Sequence, residues 1–280
     1  MNVIPLIKEH RKDKIILALN CFYTYPFNRI LQKECILKIY NNKTEKSVFR
    51  GMIIPSLRIM GLIVGKDKEI RLSSNGMLIV ESPQKILQER SYNAIIIELD
   101  NSKFNFLNIL IKNKNMRYED LHKELINSNL GNEYNLDERI KSWLEMLEEI
   151  NIISKDNNEI SFNIEKYSSI KKDLDIEIKK DHFIKILMDS FIKIKNKEKY
   201  EMIDITELRK EVAMIYLNNY SMVLTENQFD LLLRKIPKIT NSYIITFGQP
   251  IGSEEKLFEF KGNFYRTINI KNIGGGYSDE

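Results

Sequence analysis

Residues 53–76 read IIPSLRIMGLIVGKDKEIRLSSNG, and this stretch decides the fold. Apolar residues at spacings of three and four, followed by a glycine that can take positive φ, predict the buried face and the end of a helix: Ile53, Ile54, Leu57, Met60 and Gly61. Short apolar strands at 62–64 and 70–72 then lie on either side of the charged turn GKDK. This alternation predicts a β-hairpin that follows directly on the helix.

The pattern recurs 90 residues further along the chain. The shift aligns Trp143 and Leu144 with Ile53 and Ile54, and the KDNN segment takes the place of the first turn. Helix phase, turn position and strand alternation all agree, which predicts two segments built to one plan.

A helix followed by a strand, a charged turn and a second strand resembles the second half of a winged-helix domain, whose hairpin is the wing. The resemblance implies a helix-rich α+β chain of two or three tandem winged-helix modules. Similar signals near the C-terminus predict helices at 182–194 and 204–217 and a third at 226–236 capped by Thr225. Strands are predicted at 243–247 and 257–260, forming a long hairpin around GQPIGSEEK, and at 264–270. The expected divisions are module one at 1–90, module two at 91–165, a linker or connecting helix at 166–180, module three at 181–273 and a flexible tail at 274–280. Residues 83–103 are expected to join modules one and two as a helix or a strand.

Composition limits the functional classes without choosing one. The formal net charge of +4 over 280 residues permits nucleic-acid binding but does not demand it. Because no long apolar run and no signal-peptide pattern occurs, a cytoplasmic protein without membrane contact is expected. The abundance of isoleucine, lysine and asparagine is typical of an AT-rich, here prokaryotic, genome. Cys21 and Cys35 stand in no CxxC or Cys/His cluster, so two reduced thiols packed in the core are expected.

Six basic residues of module one are the candidate DNA-binding set. Those predicted on the third helix and outside its core are Lys46, Arg50 and Arg58, and those predicted on the wing are Lys66, Lys68 and Arg71. Guanidinium and ammonium groups can bind the guanine edges and the phosphates of double-stranded DNA, which is the expected partner. A merely solvated basic face is the alternative. The third helix of module two is acidic, which favours contact between domains or subunits, and Trp143 is expected to anchor its core.

No enzymatic signature is convincing. The chain has neither a GxxxxGK[ST] loop nor a GxGxxG turn after a strand, and its three histidines have no metal-ligand spacing, so no cofactor or metal is expected. The nearest nuclease pattern is the strand-borne triplet Glu259-Phe260-Lys261, which lacks an upstream aspartate on a companion strand.

The sequence therefore predicts a non-enzymatic DNA-binding protein, either a transcription regulator or the recognition or loading subunit of a DNA-maintenance or defence system. A winged-helix scaffold that binds a protein partner or forms a homodimer is the alternative, and a restriction-type nuclease comes third.

Overall fold

The computed structural model describes residues 4–40, 44–65, 69–103, 106–128, 135–175, 177–198, 200–249 and 257–273. Across these residues the chain is a helix-rich α+β protein, as the sequence predicts, with helices alternating with small antiparallel sheets. The tail predicted at 274–280 lies outside the described residues.

The segment that the sequence predicts as module one contains helices followed by a short hairpin. Its elements are α1 Lys12–Thr24, α2 Arg29–Ile39, a π-helix Lys46–Ile53 continued by α3 Ile54–Ile59, strands β1 Ile63–Val64 and β2 Arg71–Leu72, and α4 Ser74–Val80. We call the composite third helix the 46–59 helix. The apolar run after the hairpin is thus helical, and the Ser73 side chain caps it by accepting from the Gly76 N–H at 3.0 Å.

The predicted helix end and hairpin are present in module one. Gly61 has a φ of 67°, and the Leu62 N–H donates to the Leu57 carbonyl at 2.8 Å, which closes the last helical turn. Ile63 pairs with Leu72 across the hairpin. Ninety residues later, Ile152 donates to Leu147 at 3.0 Å and Ile153 pairs with Phe162, so the 90-residue shift holds in the hydrogen-bond register.

The expectation of two reduced thiols is wrong in the structure. The packing of α1 against α2 places the Cα atoms of Cys21 and Cys35 5.7 Å apart, and the two sulfurs form a disulfide. Spacing of 14 residues along the chain gave no sign of this contact, because it depends on how two separate helices cross.

Helix α5, Lys85–Lys103, connects to module two and resolves the choice between helix and strand for that segment. The elements of module two follow as α6 Phe106–Lys112, β3 Asn115–Arg117, α7 Tyr118–Asn127, α8 Leu136–Glu149, β4 Ile153–Asp156 and β5 Glu159–Phe162. The sheet order is β3-β5-β4, with both neighbouring pairs antiparallel. The segment expected to be a linker or connecting helix contains α9, Ile164–Leu174, which packs on α5.

Module three repeats the element order of module two, with an added two-stranded hairpin before its last strand. Its elements are α10 Lys180–Glu198, β6 Ile203–Asp204, α11 Ile205–Tyr220, α12 Glu226–Lys235, β7 Tyr243–Gly248, a hairpin of β8 Phe258–Phe260 and β9 Asn263–Tyr265, and β10 Thr267–Asn272. The sheet order is β6-β10-β7, so the first strand again pairs with the last. The long hairpin predicted from β7 and β8 is not seen among the described residues, because β7 pairs with β10 and β8 with β9. In the described part of module one the sheet has only the two strands β1 and β2. Beside β2, the buried Gln32 side chain donates to the Ile70 carbonyl at 3.0 Å.

Two hydrophobic cores hold these elements together. The first joins modules one and two from Ile4 to Ile170, and the second is the core of module three with Leu78 and Leu87 from α4 and α5. Trp143 is fully buried in the first core, as predicted, and its Nε1 donates to Asp100 Oδ1 at 3.0 Å. Burial raises the pKa of Asp100 to about 6, although the indole and the N–H groups at the start of α6 donate to this carboxyl group.

Candidate nucleic-acid interface

The first part of the 46–59 helix is π-helical rather than α-helical. The Ile54 N–H donates to the Phe49 carbonyl five residues back, which is the hydrogen bond of a π-helix. Pro55 follows in the first turn of α3 and has no N–H for the Gly51 carbonyl, four residues back. Its ring would also clash with that carbonyl in an α-helix, so a wider turn before Pro55 relieves the conflict.

These π turns change which side chains share a face. An α-helix turns about 100° per residue and a π-helix, whose bonds span five residues, roughly 80° per residue. On that basis Lys46, Arg50 and Arg58 lie within about 40° of one another around the helix axis. In a continuous α-helix they would spread over about 120°, and the buried Leu57 would fall between Lys46 and Arg50.

The three cations therefore form one exposed row, which we call the basic stripe. Lys46, Arg50 and Arg58 are all exposed, whereas Val48 and Phe49 on the opposite side are fully buried. Arg58 Nη2 donates to the Gly65 carbonyl at 2.8 Å, which ties its guanidinium to the start of the wing. Within the described part of the chain, no carboxylate forms an ion pair with any residue of the stripe.

The predicted wing residues do not all join the stripe. Lys66 and Lys68 lie outside the described residues. Arg71 is half-buried on β2, and its Nε is 4.0 Å from Glu207 Oε1 on α11. Its guanidinium also lies 6.0 Å from the centroid of the Phe27 ring. Arg71 thus faces other parts of the protein, and its charge is offset by a carboxylate.

The third helix of module two, α8, is covered by the N-terminal segment of the chain. His10 Nε2 lies 2.6 Å from Glu145 Oε2, and the Lys12 N–H donates to Glu149 Oε2 at 2.5 Å at the start of α1. Arg139 Nη1 donates to the Ile4 carbonyl at 3.0 Å. Glu145 and Glu149 of α8 therefore contact the N-terminal segment, whereas Glu138 is exposed.

The third helix of module three, α12, has its N-terminus buried against module one. The Ser74 N–H donates to Glu226 Oε1 at 3.0 Å, and the Glu226 N–H donates to Asn75 Oδ1 at 3.1 Å. Each helix start is thus capped by a side chain of the other helix, an arrangement that we call the reciprocal cap. Glu226 is 1% exposed, so the end of α12 that would enter a groove is closed off.

Asp230 on α12 and Lys238 beyond it also serve the fold, whereas Arg234 and Lys235 at the end of the helix are exposed. Asp230 forms a bidentate pair with Arg209 of α11, with both contacts at 2.8 Å and both side chains buried. Lys238, just beyond the helix, donates to the Ile236 carbonyl at 2.9 Å and lies 5.0 Å from the Phe260 ring centroid. Burial lowers the pKa of Lys238 to about 8.

The possible nuclease triplet does not form a metal site. Lys261 lies in the two-residue turn between β8 and β9 with a φ of 52°, not on a strand beside Glu259. Across the described ranges, no group of three or more histidine, cysteine, aspartate or glutamate side chains is placed to hold a metal ion.

Two features of this region escaped the sequence reasoning. The apolar pairs Val48-Phe49 and Ile53-Ile54 are five residues apart, which is a π-helical spacing and was readable in the sequence. The reciprocal cap had no comparable signal, because Asn75 and Glu226 are 151 positions apart.

The chain matches no protein-family model, no curated protein and no solved structure. In the described part of the chain, no helix is both long enough and apolar enough to cross a membrane.

Proposed function

We propose that this protein is a non-enzymatic DNA-binding protein that grips duplex DNA with the 46–59 helix and the wing of module one. One observation carries the proposal. Of the three third helices, the 46–59 helix contains no acidic residue and exposes cations along its whole length, at Lys46, Arg50 and Arg58. On α8 the exposed Lys141 lies among acidic residues, and on α12 the exposed Arg234 and Lys235 lie at the C-terminal end, while the N-terminus is buried in the reciprocal cap. A row of exposed cations on a helix is the chemistry that binds phosphates and guanine edges.

The element order supports a winged-helix interpretation of the modules. Module two runs helix, strand, helix, helix, strand, strand, and module three has the same order with the β8–β9 hairpin inserted before the last strand. In both, the first strand pairs with the last. Module one shares the hairpin register with module two. Proteins of this architecture commonly act as transcription regulators, and a recognition or loading subunit of a DNA-maintenance or defence system uses the same chemistry.

Fluorescence anisotropy with a mixed-sequence duplex tests the proposal. Each stripe residue that neutralises a phosphate contributes about −0.9 to the slope of log affinity against log salt concentration. The Arg50→Ala/Arg58→Ala variant is expected to reduce the magnitude of the slope by about twice this amount. The control, Lys171→Ala/Lys172→Ala, removes the same charge from exposed positions on α9 and should leave the slope unchanged.

Two outcomes contradict the proposal. In the first, the wild-type protein fails to bind at low salt. In the second, both double variants weaken binding equally, which would mean that net charge rather than the stripe attracts the duplex.

We also propose a cytoplasmic location, where DNA is accessible. Because reducing conditions there keep most cysteines as thiols, the Cys21–Cys35 disulfide should be open in that compartment. Thiol alkylation in cells quenched with acid, followed by mass spectrometry, checks this expectation. Recovery of a fully oxidised pair would count against the location.

A protein-interaction scaffold is the second candidate function, and an apolar surface on module one favours it. Tyr23, Phe27, Ile30 and Leu31 are exposed around the turn between α1 and α2. Phe27 is 59% exposed and has a φ of 60°, a strained conformation that is more common at functional sites than elsewhere. Sedimentation velocity over a range of concentrations, with Ile30→Ser as the variant, tests whether this surface forms a homodimer. A monomer at all concentrations would exclude self-association.

A further inference from the structure

The spacing of the basic stripe suggests a division of labour among its three residues. Twelve positions separate Lys46 from Arg58, which corresponds to about 16 Å along a helix that is partly π-helical. The DNA major groove is about 12 Å wide. If the helix crosses the groove, the two ends of the stripe reach the walls and the middle reaches the floor.

The side-chain chemistry agrees with this placement. Lys46, at one end, is a point charge that suits a phosphate, whereas arginine presents a planar fork that fits the guanine edge. Arg58, at the other end, is held toward the wing by its bond to the Gly65 carbonyl. Arg50 lies between them, exposed, with a guanidinium that is directed by no ion pair in the described part of the chain.

From the π-helical phase and these contacts we infer that Arg50 reads a base edge in the major groove, while Lys46 and Arg58 bind phosphates on its two walls. The inference rests on the proposed function and adds to it the residue that determines sequence preference. Gly51 and Pro55 act as positioning residues, because they favour the π turns that align the three cations.

Conservative substitution of Arg50 separates recognition of a base edge from the contribution of its positive charge. A preferred duplex is first selected from a random-sequence library with the wild-type protein, and its affinity is compared with that of single-base variants. Arg50→Lys keeps the charge but loses the fork. We expect it to lose at least about fivefold of the discrimination while the salt slope stays unchanged. Arg58→Lys is the matched control and should keep both discrimination and slope.

Moving a cation by one residue tests the stripe itself. Lys46→Ala/Ser47→Lys preserves net charge but turns the cation by roughly 80° on the helix, away from the stripe. We expect it to bind as weakly as Lys46→Ala, with the slope reduced in magnitude by about 0.9. Wild-type affinity in the transplanted variant would overturn the stripe geometry.

The two levels of inference fail in different ways. Absence of salt-dependent binding by the wild-type protein overturns the proposed function. If the wild-type protein binds and Arg50→Ala/Arg58→Ala weakens it, but Arg50→Lys keeps full discrimination, only the role of Arg50 is wrong. Circular dichroism melting of each variant ensures that the proteins compared are folded.

Discussion

The 46–59 helix and α8 occupy the same place in two similar segments, yet their surfaces differ. Each is the last helix before a hairpin, and the two hairpins have matching registers 90 residues apart. The first helix presents Lys46 and Arg50 to solvent, whereas α8 contacts the N-terminal segment through Glu145 and Glu149. The comparison teaches that place in the fold does not assign a role. The two helices differ in the charge of their exposed side chains and in how far the rest of the chain covers them.

The largest expected effect concerns the third helix of module three, whose Asp230 we assign to the fold. Asp230→Ala leaves the Arg209 guanidinium buried without its bidentate partner. We expect the free energy of unfolding to fall by about 3 to 5 kcal/mol, as measured by urea denaturation. The exposed pair of Lys193 and Glu211 gives the control, since Glu211→Ala should cost at most about 1 kcal/mol. Similar small losses in both variants would contradict a structural role for Asp230.

The next prediction concerns the anchoring of α8 through Trp143 and Asp100. Burial raises the pKa of Asp100 from 3.8 to about 6, so the folded protein binds more protons than the unfolded chain between those values. The stabilisation from this group is therefore complete below about pH 4 and is lost as the pH rises through about 6. The loss should be roughly 2 to 3 kcal/mol.

Asp100→Asn cannot titrate and isolates this contribution. The difference in unfolding free energy between wild type and variant should fall as the pH rises from about 4 to 7. Chemical denaturation at each pH measures it. A difference that stays constant across this range would mean that the carboxyl group keeps its ordinary pKa.

Opposite charge changes on the 46–59 helix and on α8 test whether coverage by the rest of the chain keeps a helix from contacting DNA. Lys46→Glu should reduce the magnitude of the salt slope by about 0.9 or more, because a phosphate contact is lost. Glu138→Lys adds a cation to an exposed position on α8 and should leave the slope unchanged. Anisotropy titrations over several salt concentrations distinguish the two. If Glu138→Lys steepens the slope, α8 also lies against the DNA.

The smallest expected effect is at Gly51, within the π turns. Glycine to alanine in a helix normally stabilises a protein by up to about 1 kcal/mol. At Gly51 the added Cβ would lie 3.2 Å from the Lys46 carbonyl oxygen, which is closer than ordinary contact. We therefore expect Gly51→Ala to change the unfolding free energy by less than about 0.5 kcal/mol. An increase in the unfolding free energy of about 1 kcal/mol would indicate that this turn is a regular α-helix.

The parts of the fold that depend on neighbouring residues were predictable from sequence. The Gly61 helix end, the two hairpins and the Thr225 cap of α12 each follow from a few adjacent side chains. Contacts between distant segments were not predictable, because no local pattern encodes how two helices meet. The disulfide, the pairing of Arg71 with Glu207 and the reciprocal cap all belong to this class.

The candidate site divides in the same way. The exposure of Lys46, Arg50 and Arg58 followed from their positions outside the apolar pattern. Their alignment on one face could not be predicted in this way, because it depends on π turns and the sequence pattern was interpreted with the α-helical period of 3.6 residues.

The reciprocal cap gives this molecule a built-in reporter of separation between modules. The amide protons of Ser74 and Glu226 are each held by a side chain from the other helix, at sites where no helical carbonyl can take them. They can exchange with deuterium only when α4 and α12 part or their own module unfolds. When two peptides from distant parts of the chain take up deuterium at one common rate, that rate measures how often α4 and α12 come apart; two different rates report the unfolding of each module by itself.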